Sequence, residues 1–424
     1  VAVPVVFVSW FRRILFVGEH THCFCNHAPG IARFTDETEL AALVAPRPVL
    51  FICATGDWTR DFPKEEFPEI KHIYQLVGGE ASCVQFDKPH NYDRDSRERM
   101  YAWMIKHLVN GHWQERIQED DIALEHPAAL RELGLTPEGL ADTRGASDYF
   151  RKKYSFDQVL RETDRGPARG RLPTKRDLWN LLGECGPPVP LAAESRGMIN
   201  LAGFDTEKIL VETEPDVRVP VWIFNPGGPS FDRGRAAIIL LHPKGKRALL
   251  EERAGLVREL LNAGVVVVAP DVRLRGELHR NWDWNCVIWG RPEIGMGAHD
   301  LACIAVNLRL RRGIDPKRVT TVGLGETGAT ALFGAVLDDQ LAGVAIEQMG
   351  PLLAEISGPK VPAGILRYGD LPQFAALIAP RPLWINGDGG RFGFTEERYA
   401  NLRSSAFRRS NLDQKTFEKE LILW

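Results

Sequence analysis

The sequence has little net charge, no long apolar run, few cysteines and no initiator methionine. With 53 basic against 56 acidic side chains, the net charge is −3. That leaves no basic footprint for nucleic acid and no cationic patch for a membrane surface. The longest apolar run, Val1–Phe11, is too short to span a bilayer and contains Pro4. Seven cysteines (Cys23, Cys25, Cys53, Cys83, Cys185, Cys286, Cys303) in 424 residues do not make a disulfide scaffold. Cys53 and Cys83 fall inside apolar strand-like runs, where buried free thiols are expected. Val1 opens the chain inside an apolar run, so we expect that residue 1 is not the natural start. A missing signal peptide then says nothing about compartment. What is present, 44% hydrophobic and 26% charged residues, excludes a disordered or fibrous chain. The length allows two or three domains.

One segment occurs twice. Gly30–Pro48 (GIARFTDETELAALVAPRP) and Gly364–Pro382 (GILRYGDLPQFAALIAPRP) are identical at 11 of 19 positions without gaps, at an offset of 334. Each is followed by an apolar strand and Gly-Asp, at Gly56-Asp57 and Gly387-Asp388. The simplest cause is one domain type present twice.

Upstream of the second copy, apolar strands at 236–241, 265–269, 319–322 and 341–347 alternate with helices at about 248–263 and 299–311. Strands apolar on both faces alternating with helices predict an α/β domain with a mostly parallel, doubly wound sheet. Lys208–Phe224 alternates around a turn and reads as an antiparallel hairpin at the sheet edge. Only residues 1–29 precede the first copy, so it reads as the second half of such a domain. We therefore expect a truncated α/β domain over 1–111, a charged, solvated helical connector over 112–197, and a second α/β domain over 198–424.

Catalytic groups in such sheets project from loops at the carboxyl ends of strands. Asp57 follows the strand 49–55. His90 follows the strand 81–86, in the loop Lys88-Pro89-His90-Asn91-Tyr92. A helix from Asp95, with Glu98 at capping-box spacing, comes next. An acid after one strand and a histidine after the next is the tail of the order Ser…Asp…His, in which the carboxylate orients the imidazole that deprotonates serine. A turn aspartate and a loop histidine are the bland alternative. The nucleophile should precede Asp57 on a G-x-S-x-G elbow. In the second copy the elbow is Gly323-Leu324-Gly325-Glu326-Thr327-Gly328, with Gly325 where serine belongs. The offset of 334 puts the first copy's nucleophile upstream of Val1. Ser9 falls at the end of the following strand and is the wrong serine. The second copy has Asp388 but no histidine after it, and its tail 404–424 lacks a strand leading to one, so it reads as a non-catalytic copy.

Three other patterns compete. GLGETG between strand and helix fits the dinucleotide fingerprint, with Glu347 near the ribose-binding spacing, but at least two strands precede it. His20, His22, Cys23, Cys25 and His27 are dense in soft ligands, with His72 or Asp87 as conceivable partners, yet too tightly spaced for the usual zinc knuckles. Trp282, Trp284 and Trp289 could stack on sugar rings, or pack a lid. No metal and no cofactor is expected.

At Cys23–Thr59 (CFCNHAPGIARFTDETELAALVAPRPVLFICATGDWT), Glu66–Leu76 and Pro89–Met104 (PHNYDRDSRERMYAWM) the sequence resembles the acetyl xylan esterase and dienelactone-hydrolase branch of the α/β-hydrolases, in particular large bacterial members whose active domain is followed by a degenerate one. The resemblance covers residues 1–108 well and 198–400 loosely. It implies Asp57 as triad acid, His90 as triad base, a small-molecule or carbohydrate ester as substrate, and a secreted or periplasmic compartment. The absent serine and Gly325 depart from the family pattern. A non-catalytic carbohydrate-binding or scaffolding protein is the alternative from another class. Oligomeric state and the actual ester are not legible.

Overall fold

The computed structural model describes residues 1–16, 28–109, 114–126, 129, 174–183, 186–227, 234–279, 285–356 and 360–424. It divides into two compact units, Val1–Thr143 and Arg144–Trp424. Both are built of helices around parallel strands, the α/β class expected.

In unit one, β1 (Val49–Gly56) is a run of apolar and β-branched residues buried along most of its length. It pairs in parallel with β2 (Ala81–Pro89). On its other side runs the segment from Ala2 to Val5, also parallel, through the bridges Ala2–Val49 and Val5–Ile52. Helix α1 (Phe11–Phe16) follows that segment, and α2 (Glu37–Ala42) carries the repeated motif. Helices α3 (Phe62–Glu65) and α4 (Phe67–Val77) connect β1 to β2. Proline near the start of α4 and Gly78 at its end are the usual start and stop signals. Helix α5 (Arg94–Leu108) follows β2. Its N-cap is Asp93, which accepts from the Ser96 N–H, not a capping box through Glu98. Glu98 is buried, accepts the Glu119 N–H and pairs with Arg116.

Unit two holds a nine-stranded sheet among the described residues. Its strands are β3 (Ala193–Leu201), β4 (Phe204–Glu214), β5 (Val217–Phe224), β6 (Arg235–Leu241), β7 (Val266–Pro270), β8 (Ile314–Gly323), β9 (Gly343–Ile346), β10 (Leu383–Asn386) and β11 (Phe407–Ser410), in the order β11-β10-β9-β8-β6-β7-β5-β4-β3. The β4–β5 hairpin is antiparallel as expected, but β3 lies outside it and forms the edge. Helix α6 (Lys175–Leu181), inside the span expected as a solvated connector, buries Leu178 in the core of this unit. Ile239 and Leu241 of β6 join one apolar cluster with α9 (Glu293–Arg309) and α10 (Gly328–Leu337). Ile238 and Leu240 join another with α7 (Lys246–Asn262). Adjacent residues facing opposite layers make the sheet doubly wound. The strand order reverses at β6 and β8, whose carboxyl ends carry the His242–Lys244 loop and the Gly325 turn.

The repeat extends beyond its sequence match. The strand pair of Ala2–Val5 with β1 matches β9 with β10: Ala2 N–H donates to the Pro48 carbonyl, and Val344 N–H to that of Pro382. Asp36 accepts the Phe11 N–H as Asp370 accepts that of Leu353. Helix α11 (Leu371–Ala375) matches α2, and α12 (Gly393–Asn401) matches α4. Tyr74 and Tyr399 on those last helices donate to the equivalent carbonyls of Arg47 and Arg381. The tail contains a strand, β11, which pairs in parallel with β10 as β2 does with β1. It leads to Asn411 and then α13 (Gln414–Leu421), not to a histidine.

Candidate active site

Two adjacent parallel strands end side by side and deliver Asp57 and His90 to each other. His90 Nδ1 lies 3.0 Å from Asp57 Oδ2. The carboxylate is buried, with its side chain 1% exposed, while the imidazole is 52% exposed. The other oxygen is occupied: the Thr59 N–H and the Thr59 hydroxyl both donate to Asp57 Oδ1, at 2.7 and 2.6 Å. Thr59 Oγ1 in turn accepts the Ala54 N–H at 3.0 Å, tying the loop to the last turn-out of β1. A carboxylate fixed at one oxygen has one direction left for the other. A carboxylate at Nδ1 selects the tautomer whose Nε2 lone pair is free to take a proton.

Trp58 completes the arrangement. Its ring lies 4.5 Å from the His90 ring, centroid to centroid, at 33°. Its indole N–H donates to the Phe7 carbonyl at 3.1 Å. The His90 loop is braced by Lys88, which pairs with Asp93 and Asp95 at the start of α5.

Ser9 is buried at the end of the strand segment beside β1. Its hydroxyl donates to Glu66 Oε1 at 3.1 Å and its N–H to Glu37 Oε2 at 3.2 Å. It is committed to these acids and not to His90. Burial pushes the Glu37 carboxyl up to about 8 and that of Glu66 up to about 7.

In unit two Gly325 stands at the end of β8 with φ +54°. A Cβ placed there would meet only Pro243 Cγ, at 3.6 Å. Asp388 is buried after β10, but Arg409 of β11 occupies its Oδ2 at 2.9 Å. The Gly390 N–H donates to Asp388 Oδ1, as the Thr59 N–H does to Asp57. From the paired strand start to the helix N-cap runs 12 residues in unit one (Ala81 to Asp93) but 6 in unit two (Phe407 to Asp413). The stretch that carries His90 has no room there.

Of the competing patterns, Glu347 is buried against Arg253 at 2.8 Å, so its carboxylate is already engaged. Residues 20–27 and the two tryptophans Trp282 and Trp284 lie outside the described residues. Among the described residues no cluster of metal-ligating side chains occurs, and no helix is long and apolar enough to cross a membrane. Thr59 and Trp58 escaped the sequence reading. An Asp-x-Thr step is the only local signal for the first, since short polar side chains bond neighbouring backbone.

No family model and no curated protein matches the sequence. Among solved structures, the chain is similar to a Bacteroides fragilis protein described as a candidate acetyl xylan esterase, at 14% identity and a TM-score of 0.49, over 69% of this chain and 86% of that one. An acetyl xylan esterase from Paenibacillus sp. R4 is similar at 14% identity and a TM-score of 0.42, over 59% of this chain and 91% of that one. A methylesterase is similar at 16% identity and a TM-score of 0.45, over 91% of this chain and 83% of that one.

Proposed function

We propose that unit one carries the acid and base of a serine ester hydrolase acting on acylated carbohydrate or a similar small ester, with its nucleophilic serine upstream of Val1. The observation that carries this is the Asp57–His90 pair at the ends of two adjacent parallel strands, with the carboxylate fixed by Thr59. In the reaction, His90 Nε2 takes the serine proton as the oxygen attacks the ester carbonyl, and returns it to the leaving alcohol. Water deprotonated by His90 then releases the acid from the acyl-serine. Asp57 stabilises the imidazolium formed in each step, and backbone N–H groups hold the oxyanion.

A second feature supports an upstream elbow. In unit two, α10 follows the Gly325 turn, and its Phe333 packs on Phe374 of α11 with ring centroids 5.1 Å apart. Leu40, at the matching place in unit one, is 38% exposed, against 0% for Phe374. It lines an apolar cavity of about 490 Å³ with Val3, Phe7, Phe11, Val44 and Phe51. That is the face a helix following an elbow would cover.

The test is to produce the protein with the in-frame residues that precede Val1 and assay a nitrophenyl acetate. Activity is expected, and His90→Ala should abolish it; full activity in that variant would sink the assignment. The alternative, a pseudo-hydrolase that only binds or scaffolds carbohydrate, is favoured by one observation, the replacement of both groups in unit two by Gly325 and Arg409. A fluorophosphonate probe on the extended protein separates the two: serine labelling supports the enzyme, and no labelling supports the scaffold.

A further inference from the structure

Asp57 gives His90 one hydrogen bond, and a ring that is half exposed can still swing about it. The only ring stacked on the imidazole among the described contacts is that of Trp58. Trp58 is itself held by its indole N–H, which donates to the Phe7 carbonyl at 3.1 Å. That anchor lies at the carboxyl end of the segment that runs beside β1, so the indole is braced from the neighbouring strand.

The second unit offers an internal comparison. The equivalent hydrogen bonds of Thr59 and Gly390 to the acid align Trp58 with Gly389 and Thr59 with Gly390. Gly389 has φ +59° and no side chain to stack. The unit whose acid meets a histidine therefore has Trp-Thr after that acid, and the unit whose acid meets Arg409 has Gly-Gly. A structural tryptophan needed by the strand end would have no reason to disappear together with the histidine.

We propose that Trp58 is a positioning residue for His90: its indole face restricts the imidazole to the orientation in which Nδ1 meets Asp57 and Nε2 points away from it. This rests on the reading of Asp57 and His90 as the acid–base pair. Offset or tilted aromatic pairs add enough to hold one ring orientation roughly five- to tenfold over its competitors. Trp58→Phe keeps a stacking face and gives up the bond to Phe7, whereas Trp58→Leu keeps apolar bulk and gives up the face.

The experiment is nuclear magnetic resonance on the full chain with labelled histidines, following the His90 Nδ1–H proton, with the His72 and His107 signals reporting an intact fold. The wild type is expected to show a hydrogen-bonded Nδ1–H that exchanges slowly with water. Trp58→Leu and Trp58→Ala should speed that exchange about five- to tenfold, and Trp58→Phe should stay near the wild type. If Trp58→Ala fails to fold, the Phe and Leu variants decide the question alone. Unchanged exchange in Trp58→Leu, or equal exchange in the Phe and Leu variants, overturns the proposal. No turnover is needed for this measurement, so it stands or falls separately from the esterase assignment. In the extended protein, if active, Trp58→Leu should lower kcat by a similar factor at unchanged KM.

Discussion

The two oxygens of Asp57 are divided between partners, Oδ1 to Thr59 and Oδ2 to His90. Such division of labour turns a flexible carboxylate into an oriented acceptor. A different economy governs Glu37 and Glu66, which are buried near Ser9 and held protonated well above the usual carboxylate range by loss of water around them. Their titration links unit one's stability to pH. Glu37 binds its proton more tightly folded than unfolded, so its stabilisation is complete below about pH 4.5 and is lost as pH rises through about 8. Raising the pH from 5 to 9 should therefore cost unit one on the order of a few kcal/mol. Glu37→Gln should flatten that dependence, as measured by urea midpoints across the range. A midpoint that still falls as steeply with pH in the variant would contradict it.

At the scale of elements, equivalent strands and helices carry different endings. The paired strand ends of unit one present Asp57 and His90, and those of unit two present Asp388 and Arg409. A guanidinium stays protonated at any working pH, so Arg409 satisfies the acid but cannot serve as a base. The Gly325 turn nevertheless has space for a larger residue. Gly325→Ser should fold, at a cost of about 1–2 kcal/mol for a side chain at positive φ, and should remain unlabelled by a fluorophosphonate. Labelling of that serine would mean that some other group deprotonates it. Part of this contrast was legible in the sequence: Gly325 and the missing histidine are plain in the string of residues. Arg409 was not, because nothing local marks β11 as the partner of β10. Its short, basic stretch Phe407–Ser410 lacks the long apolar run that announced β1.

At the scale of the molecule, the Ala2–Val5 segment, β1 and β2 of unit one match β9, β10 and β11 of unit two around different apolar clusters. In unit two Phe374 is fully buried against Phe333, in a cluster that spans α9, α10 and the sheet. Phe374→Ala should destabilise this unit by about 3–5 kcal/mol, the usual cost of emptying an aromatic site. Calorimetry on the variant should show the transition of unit two shifted downward. A loss under about 1 kcal/mol would mean that the site collapses or is less tightly packed than its burial implies.

The sequence by itself determined the α/β class, the repeated segment and the residues on offer: an acid and then a histidine after successive strands in one copy, and in the other glycine at the elbow and no histidine after the acid. These are local facts, carried by apolar periodicity, by turn residues and by a motif repeated at a constant offset. Only the tertiary structure decided which groups meet. It set Thr59 and Trp58 around the pair, committed Ser9 to Glu66, gave Asp388 to Arg409 and added β3 at the edge. The physical reason is that parallel neighbours lie far apart along the chain. Which side chains face one another there depends on the register of strands joined through helices, and a run of residues read in order does not contain that register.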